Sequence, residues 1–199
     1  MSIRLISAVS LLAVGLLGCG ADSPDPVEPA NSISDPWQAE PFPVDSTLVA
    51  ALDKACSVSI EQHGLPLAVV DVRGGSRGML LYAGPKDQAD CLAQIQPDGT
   101  MGVDGGGGSS SSDPVVRPAG GNVQLLSYGS SGSGVDQTSN VIGFAGPAVA
   151  RVVITTKAGR QLRASIGPTG WFAAWWPSGD ELLHATGYDA TGAQTGTAQ

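Results

Sequence analysis

Three tryptophans and a phenylalanine within six residues, Trp171-Phe172-Ala173-Ala174-Trp175-Trp176, are the part of this chain best equipped to recognise a ligand. On a strand, Trp171, Ala173 and Trp175 share one face while Phe172, Ala174 and Trp176 share the other, so rings project from both sides. One face can enter a core. The other either needs cover or stands exposed, and an exposed Trp on a rigid strand is a platform for sugar rings or partner chains. Arg151 and Arg163 lie by alternation on one face of a hairpin whose turn carries Lys157 and Arg160. A solvated face explains such a cluster; an anion site for wall-polymer or lipid-headgroup phosphate is the sharper reading. Trp171, Trp175, Trp176, Arg151 and Arg163 are therefore the ligand-binding candidates. Asp71 and Arg73, two apart on a strand, suit a local ion pair. His63 near a helix C-terminus has an electrostatic reason to be there, and His184 has no carboxylate pattern around it.

Catalytic signatures are missing from this inventory. There is no G-x-S-x-G, no H-E-x-x-H and no cluster of metal ligands, and the glycine run at 105–108 lacks the Lys and the following helix of a phosphate loop. The sequence assigns no catalytic residue, metal or cofactor. A hydrolase or transferase without these motifs is the alternative class.

Three cysteines carry the remaining chemistry. Leu16-Leu17-Gly18-Cys19 closes an apolar run over 5–17 behind Arg4, shorter than the roughly 20 residues of a spanning helix and suited to a signal-peptide core. The segment resembles a bacterial lipoprotein signal. That resemblance implies a diacylglycerol unit on the Cys19 thiol, cleavage just before Cys19, and a place on the outer face of the cytoplasmic membrane. An ordinary secretory signal cut elsewhere is the rival reading. Cys56 and Cys91 then form an even pair in an oxidising compartment, read most economically as one disulfide worth about 4 kcal/mol by loop entropy. A metal site is the rival, but no other Cys or His lies close in sequence to either.

Eighteen acidic residues against ten basic ones give a net charge of −8, and loss of Arg4 with the signal adds one more negative charge. Nucleic acid is a poor partner for such a chain. Membrane attachment would rest on acyl chains, each contributing about 0.8 kcal/mol per buried methylene. A cell-wall polymer or another envelope protein are the candidate partners.

The elements that must position these residues follow from composition and periodicity. After the signal peptide (1–18), residues 19–43 are rich in Pro, Asp, Glu, Ser and Asn and read as a disordered stalk, with Trp37 and Phe42 as exceptions suited to docking on the domain. Residues 44–104 read as a helix on a small antiparallel sheet. Asp45 or Ser46 caps the helix, Leu48, Leu52, Ala55, Cys56 and Ser59 recur at helical spacing, and Gly64 stops it. Strands follow at 67–72, 79–82 and 91–95, so that the disulfide pins helix to sheet. Residues 105–120 read as a Gly/Ser-rich flexible linker or as a long loop inserted in one sheet. Within 121–199 seven short strand candidates, 123–128, 140–145, 149–156, 161–166, 170–176, 182–189 and 193–197, read as a β-sandwich.

The run from 141 to 193 contains Gly146-Pro147-Ala148-Val149, Gly170-Trp171-Phe172-Ala173-Ala174-Trp175-Trp176-Pro177 and Tyr188-Asp189-Ala190-Thr191-Gly192. Together with a Cys-bearing helix at Cys56 and the strand Asp71-Val72-Arg73-Gly74, it resembles a group of exported actinobacterial proteins. The resemblance implies an extracytoplasmic location and carries no activity with it. The C-terminal part separately resembles bacterial immunoglobulin-like modules, a likeness of fold alone. The expected architecture is α+β, mainly β: one N-terminal helix on a small antiparallel sheet, then an immunoglobulin-like antiparallel sandwich. The expected function is a lipid-anchored, extracytoplasmic, non-catalytic binding or spacer module of the cell envelope. Carbohydrate or wall-polymer binding through the Trp strand is the first alternative.

Overall fold

The computed structural model describes residues 37–59, 64–74, 77–96 and 98–199. The helix α1 (Ser46–Ser59) begins where the Asp45 carboxylate accepts the N–H groups of Thr47 and Leu48 at 2.8 and 2.9 Å, satisfying donors that the first turn leaves free. Leu52, Ala55 and Cys56 face inward, as their spacing predicts. Gly64, beyond the helix, has φ of 72°, a conformation that glycine adopts at little cost.

Four strands, β1 (Leu67–Gly74), β2 (Arg77–Ala83), β3 (Asp87–Ile95) and β4 (Met101–Ser110), form an antiparallel meander in chain order. One face carries Val72, Leu80, Tyr82, Cys91 and Ala93 and is covered by α1. The other carries Val69, Met79, Leu81 and Leu92 and lies on the next sheet. Strand β4 overturns the expected linker. Its Gly105 to Gly108 pair residue by residue with Leu92 to Ala89, so the glycine run is sheet. Glycine weakens a strand but permits close approach, and that approach is used here: a Cβ on Gly105 would lie 2.7 Å from the Ser131 hydroxyl.

Eight further strands make the sandwich. β5 (Val123–Ser131), β6 (Thr138–Ala145), β10 (Trp171–Trp176) and β9 (Ser165–Ile166) are ordered β5-β6-β10-β9. β12 (Gln194–Ala198), β11 (Leu182–Tyr188), β7 (Arg151–Thr156) and β8 (Gln161–Arg163) are ordered β12-β11-β7-β8. Lettered A to G along the chain, with C′ after C, these are the ABED and GFCC′ sheets of an immunoglobulin-type sandwich. Every one of the seven candidate segments contains strand. The segment 161–166 splits, because the chain changes sheet at Ala164.

Stacked in order, the layers are α1, the four-stranded meander, the β5-β6-β10-β9 sheet and the β12-β11-β7-β8 sheet. The β10 sheet is therefore internal on both faces. Val141, Phe172, Ala174 and Trp176 pack toward β7 and β8, whereas Ile142, Trp171, Ala173 and Trp175 pack toward the meander.

The end of the expected stalk is also part of this body. Gln38 N–H donates to Arg73 O and Phe42 N–H to Val72 O, so the backbone at these positions lies along β1. Trp37 packs at the edge of both inter-sheet cores and donates from Nε1 to Trp175 O at 3.4 Å. The docking anticipated for Trp37 and Phe42 is present, which moves the start of the folded part ahead of residue 44. Cys19 lies outside the described residues, as do most of the stalk and His63.

Candidate functional site

The tryptophan strand is core, not platform. Trp171, Trp175 and Trp176 are 5%, 1% and 0% exposed. The meander supplies the cover that the second face requires, so no ring is free to stack on a ligand. Each indole also has a fixed environment: Trp171 stacks on Phe144, Trp175 Nε1 donates to Asp71 O at 3.1 Å, and Trp176 Nε1 donates to Asp180 O.

Arg151 and Arg163 do share the outer face of the β12-β11-β7-β8 sheet, since Arg163 lies opposite Val153, two residues along from Arg151. The structure does not draw them into one site. Arg151 sits 4.5 Å from the centroid of the Tyr188 ring, and Arg163 lies 3.7 Å from the Glu40 carboxylate. Lys157, at the turn, pairs with Glu181. His184 is half-buried opposite Thr155.

Asp71 and Arg73 form the expected ion pair, fully buried. Arg73 Nε and Nη2 grip Asp71 at 2.6 and 2.9 Å. The remaining guanidinium donors reach the carbonyls of Ala39 and Arg163, while Asp71 accepts the Ser165 N–H at 3.3 Å. Arg163 and Ser165 flank Ala164, where the strand leaves one sheet for the other. The pair thus satisfies backbone groups that this sheet change exposes. Burial pushes the Asp71 carboxyl up, against the opposing pull of Arg73 and Ser165. All its partners are internal, so it is a junction between layers and not an open site.

The Cys56–Cys91 disulfide is formed, with Cα atoms 5.9 Å apart, and ties α1 to β3. The open feature lies elsewhere. Between β3-β4 on one side and β5-β6 on the other, the space that side chains would fill is a slot of about 230 Å3. Gln88, Asp90 and Leu92 of β3 face it, with Gly105, Gly107 and Ser109 opposite them on β4. Ser127, Gly129 and Ser131 of β5 and Thr138 and Asn140 of β6 complete it. Asn140 Nδ2 donates to Asp90 Oδ2 at 3.0 Å across the two sheets. Burial pushes the Asp90 carboxyl up, and the amide of Asn140 opposes this.

Past Thr138, Arg77 donates to Thr138 Oγ1 at 3.0 Å, pairs with Asp104 at 2.9 Å and sits 5.0 Å from the Trp175 ring centroid. Past Gln88 and Ser109 a second hollow of about 380 Å3 opens, bordered by Lys86, Asp87, Asp113 and Val115. Reading 105–120 as a linker hid this slot, because its wall is the glycine run itself. Along β3 Gln88, Asp90 and Leu92 share one face, but the glycines set against them carry no side chain that could have signalled the pairing.

Among the described residues no group of three His, Cys, Asp or Glu could hold a metal, and no described helix is long and apolar enough to cross a membrane. No family model, curated protein or solved structure matches the chain.

Proposed function

We propose that this chain is a lipid-anchored, extracytoplasmic, non-catalytic binding module of the bacterial cell envelope, held at the outer face of the cytoplasmic membrane through Cys19. The observation that carries the reading is the Cys56–Cys91 disulfide. Such bonds persist in oxidising compartments, and here one accompanies an apolar N-terminal run that ends at a third cysteine. Docking of the backbone near Gln38 and Phe42 against β1 would give a tether a fixed point of attachment on the domain.

Burial of the tryptophans shifts the recognition surface from β10 to the slot between β4 and β5. Carbohydrate or wall-polymer binding stays the second reading, favoured by the polar lining of that slot. The alternative class is an envelope hydrolase or transferase. Incubating the full chain with purified cell wall, beside a broad hydrolase screen, separates the three. Retention on the wall without turnover supports a wall-binding module, and retention by an envelope protein alone supports a protein partner. Turnover that co-purifies with the chain contradicts the non-catalytic reading.

A further inference from the structure

The slot presents a carboxylate without a matching cation. Asp90 contributes a half-buried carboxylate whose described partner is the neutral Asn140 amide, and among the described residues no Lys, Arg or His pairs with it. Gln88 also lines the slot, with its own Oε1 buried and without a hydrogen-bond partner. The glycines let side-chain oxygens lie close against the backbone of β4 and β5. A Cβ on Gly107 would stand 3.4 Å from Asp90 Oδ1, and one on Gly129 would stand 3.0 Å from Asn140 Oδ1. The Asp90 carboxylate and the Asn140 amide thus line an unfilled volume whose lining holds one negative charge and no positive one.

We propose that the slot binds a small primary ammonium compound bearing hydroxyl groups, an amino sugar or amino alcohol, with the ammonium against Asp90. An ammonium carries three donors and no acceptor, which suits a carboxylate and the neighbouring amide oxygen of Asn140. It also supplies the countercharge that a partly desolvated carboxylate lacks. Ser127 and Ser131 on the facing wall suit hydroxyls on the ligand frame. A divalent cation fits less well, because hard cations of that kind take six to eight oxygens with several carboxylates among them. No aromatic ring lines the slot, so a ligand recognised by stacking finds no platform. The inference deepens the binding-module reading by naming the ligand class.

Calorimetric titration of the full chain in detergent with D-glucosamine, D-glucose and calcium chloride tests it. Glucosamine should bind saturably and at least about tenfold more tightly than glucose. Asp90→Asn should weaken glucosamine by at least about tenfold and leave glucose unchanged. Gly107→Val, which fills the slot from β4, should abolish binding while thermal melting stays cooperative; it decides the matter if Asp90→Asn fails to fold. Equal affinity for glucose and glucosamine, tighter binding of calcium, or no heat up to about 10 mM glucosamine would overturn the proposal. Recovery of the probe afterwards keeps two failures apart. Absence of binding removes this site and leaves wall retention to test the module reading, whereas a chemically altered probe contradicts the non-catalytic reading and leaves the site standing.

Discussion

Arg73 is the residue whose loss the fold should tolerate least. It is fully buried and reaches Asp71 and the carbonyls of Ala39 and Arg163, joining β1, the N-terminal segment and the sheet change at Ala164. Removing one partner leaves the other charge buried without compensation, at about 3–5 kcal/mol. Arg73→Met and Asp71→Leu should each lower the urea midpoint by a corresponding amount, and the double variant should cost less than their sum. Strict additivity would show that the pair does not act as a unit. Asp90 gives a pH prediction of unusual sign. Burial raises its folded pKa above the unfolded value, so the folded state holds that proton to higher pH. Stability then falls as pH rises from below the ordinary carboxylate range through the raised value. The difference in unfolding free energy between the wild type and Asp90→Asn should change across that window; a flat difference would mean that Asp90 titrates normally. Fluorescence addresses the tryptophans. Trp171, Trp175 and Trp176 are buried while Trp37 is half-buried, so iodide should quench weakly overall and Trp37→Phe should remove the most quenchable fraction. Strong quenching that survives Trp37→Phe would place a strand indole at the surface.

Elements explain which parts of the structure were legible. Period-two alternation in 149–156 and helical spacing from Leu48 to Cys56 report burial on one face, and both are present where their residues place them. The seven sandwich segments were readable from the turn residues between them, although β6 and β10 are buried on both faces. Strand β4 was not. Gly105 to Gly108 have no side chains, so periodicity carries no signal there, and the strand exists because β3 offers a ladder and Ser131 packs closely above Gly105. The slot was illegible with it, since it depends on missing side chains in one strand meeting Asp90 and Asn140 from two others. On β10 the alternation was plain from sequence, yet which layer covered the Trp175 face was a tertiary fact. The disulfide between α1 and β3 is the element-scale device that a cysteine count could anticipate. Intact mass should show the loss of two hydrogens relative to the reduced chain. Reduction should lower the melting temperature, in line with about 4 kcal/mol of loop-closure entropy. Free thiols at Cys56 and Cys91 in the protein isolated without reductant would contradict the bond.

At the scale of the whole molecule, the four described layers are joined by three cores, one between helix and sheet and two between sheets. The segment with Gln38 and Phe42 lies beside β1, and the slot opens between β4 and β5. The proposed role depends on the chain being held at the membrane, because an acidic body with few surface cations has little electrostatic attraction for an anionic surface. Two acyl chains anchor stably where one would not. The most direct measurement is metabolic labelling with radioactive palmitate, followed by membrane fractionation of cells producing the wild-type chain or Cys19→Ser. Label on the wild type and retention in the membrane fraction, both lost in Cys19→Ser, is the predicted result. Label or membrane retention that persists in Cys19→Ser would contradict the account.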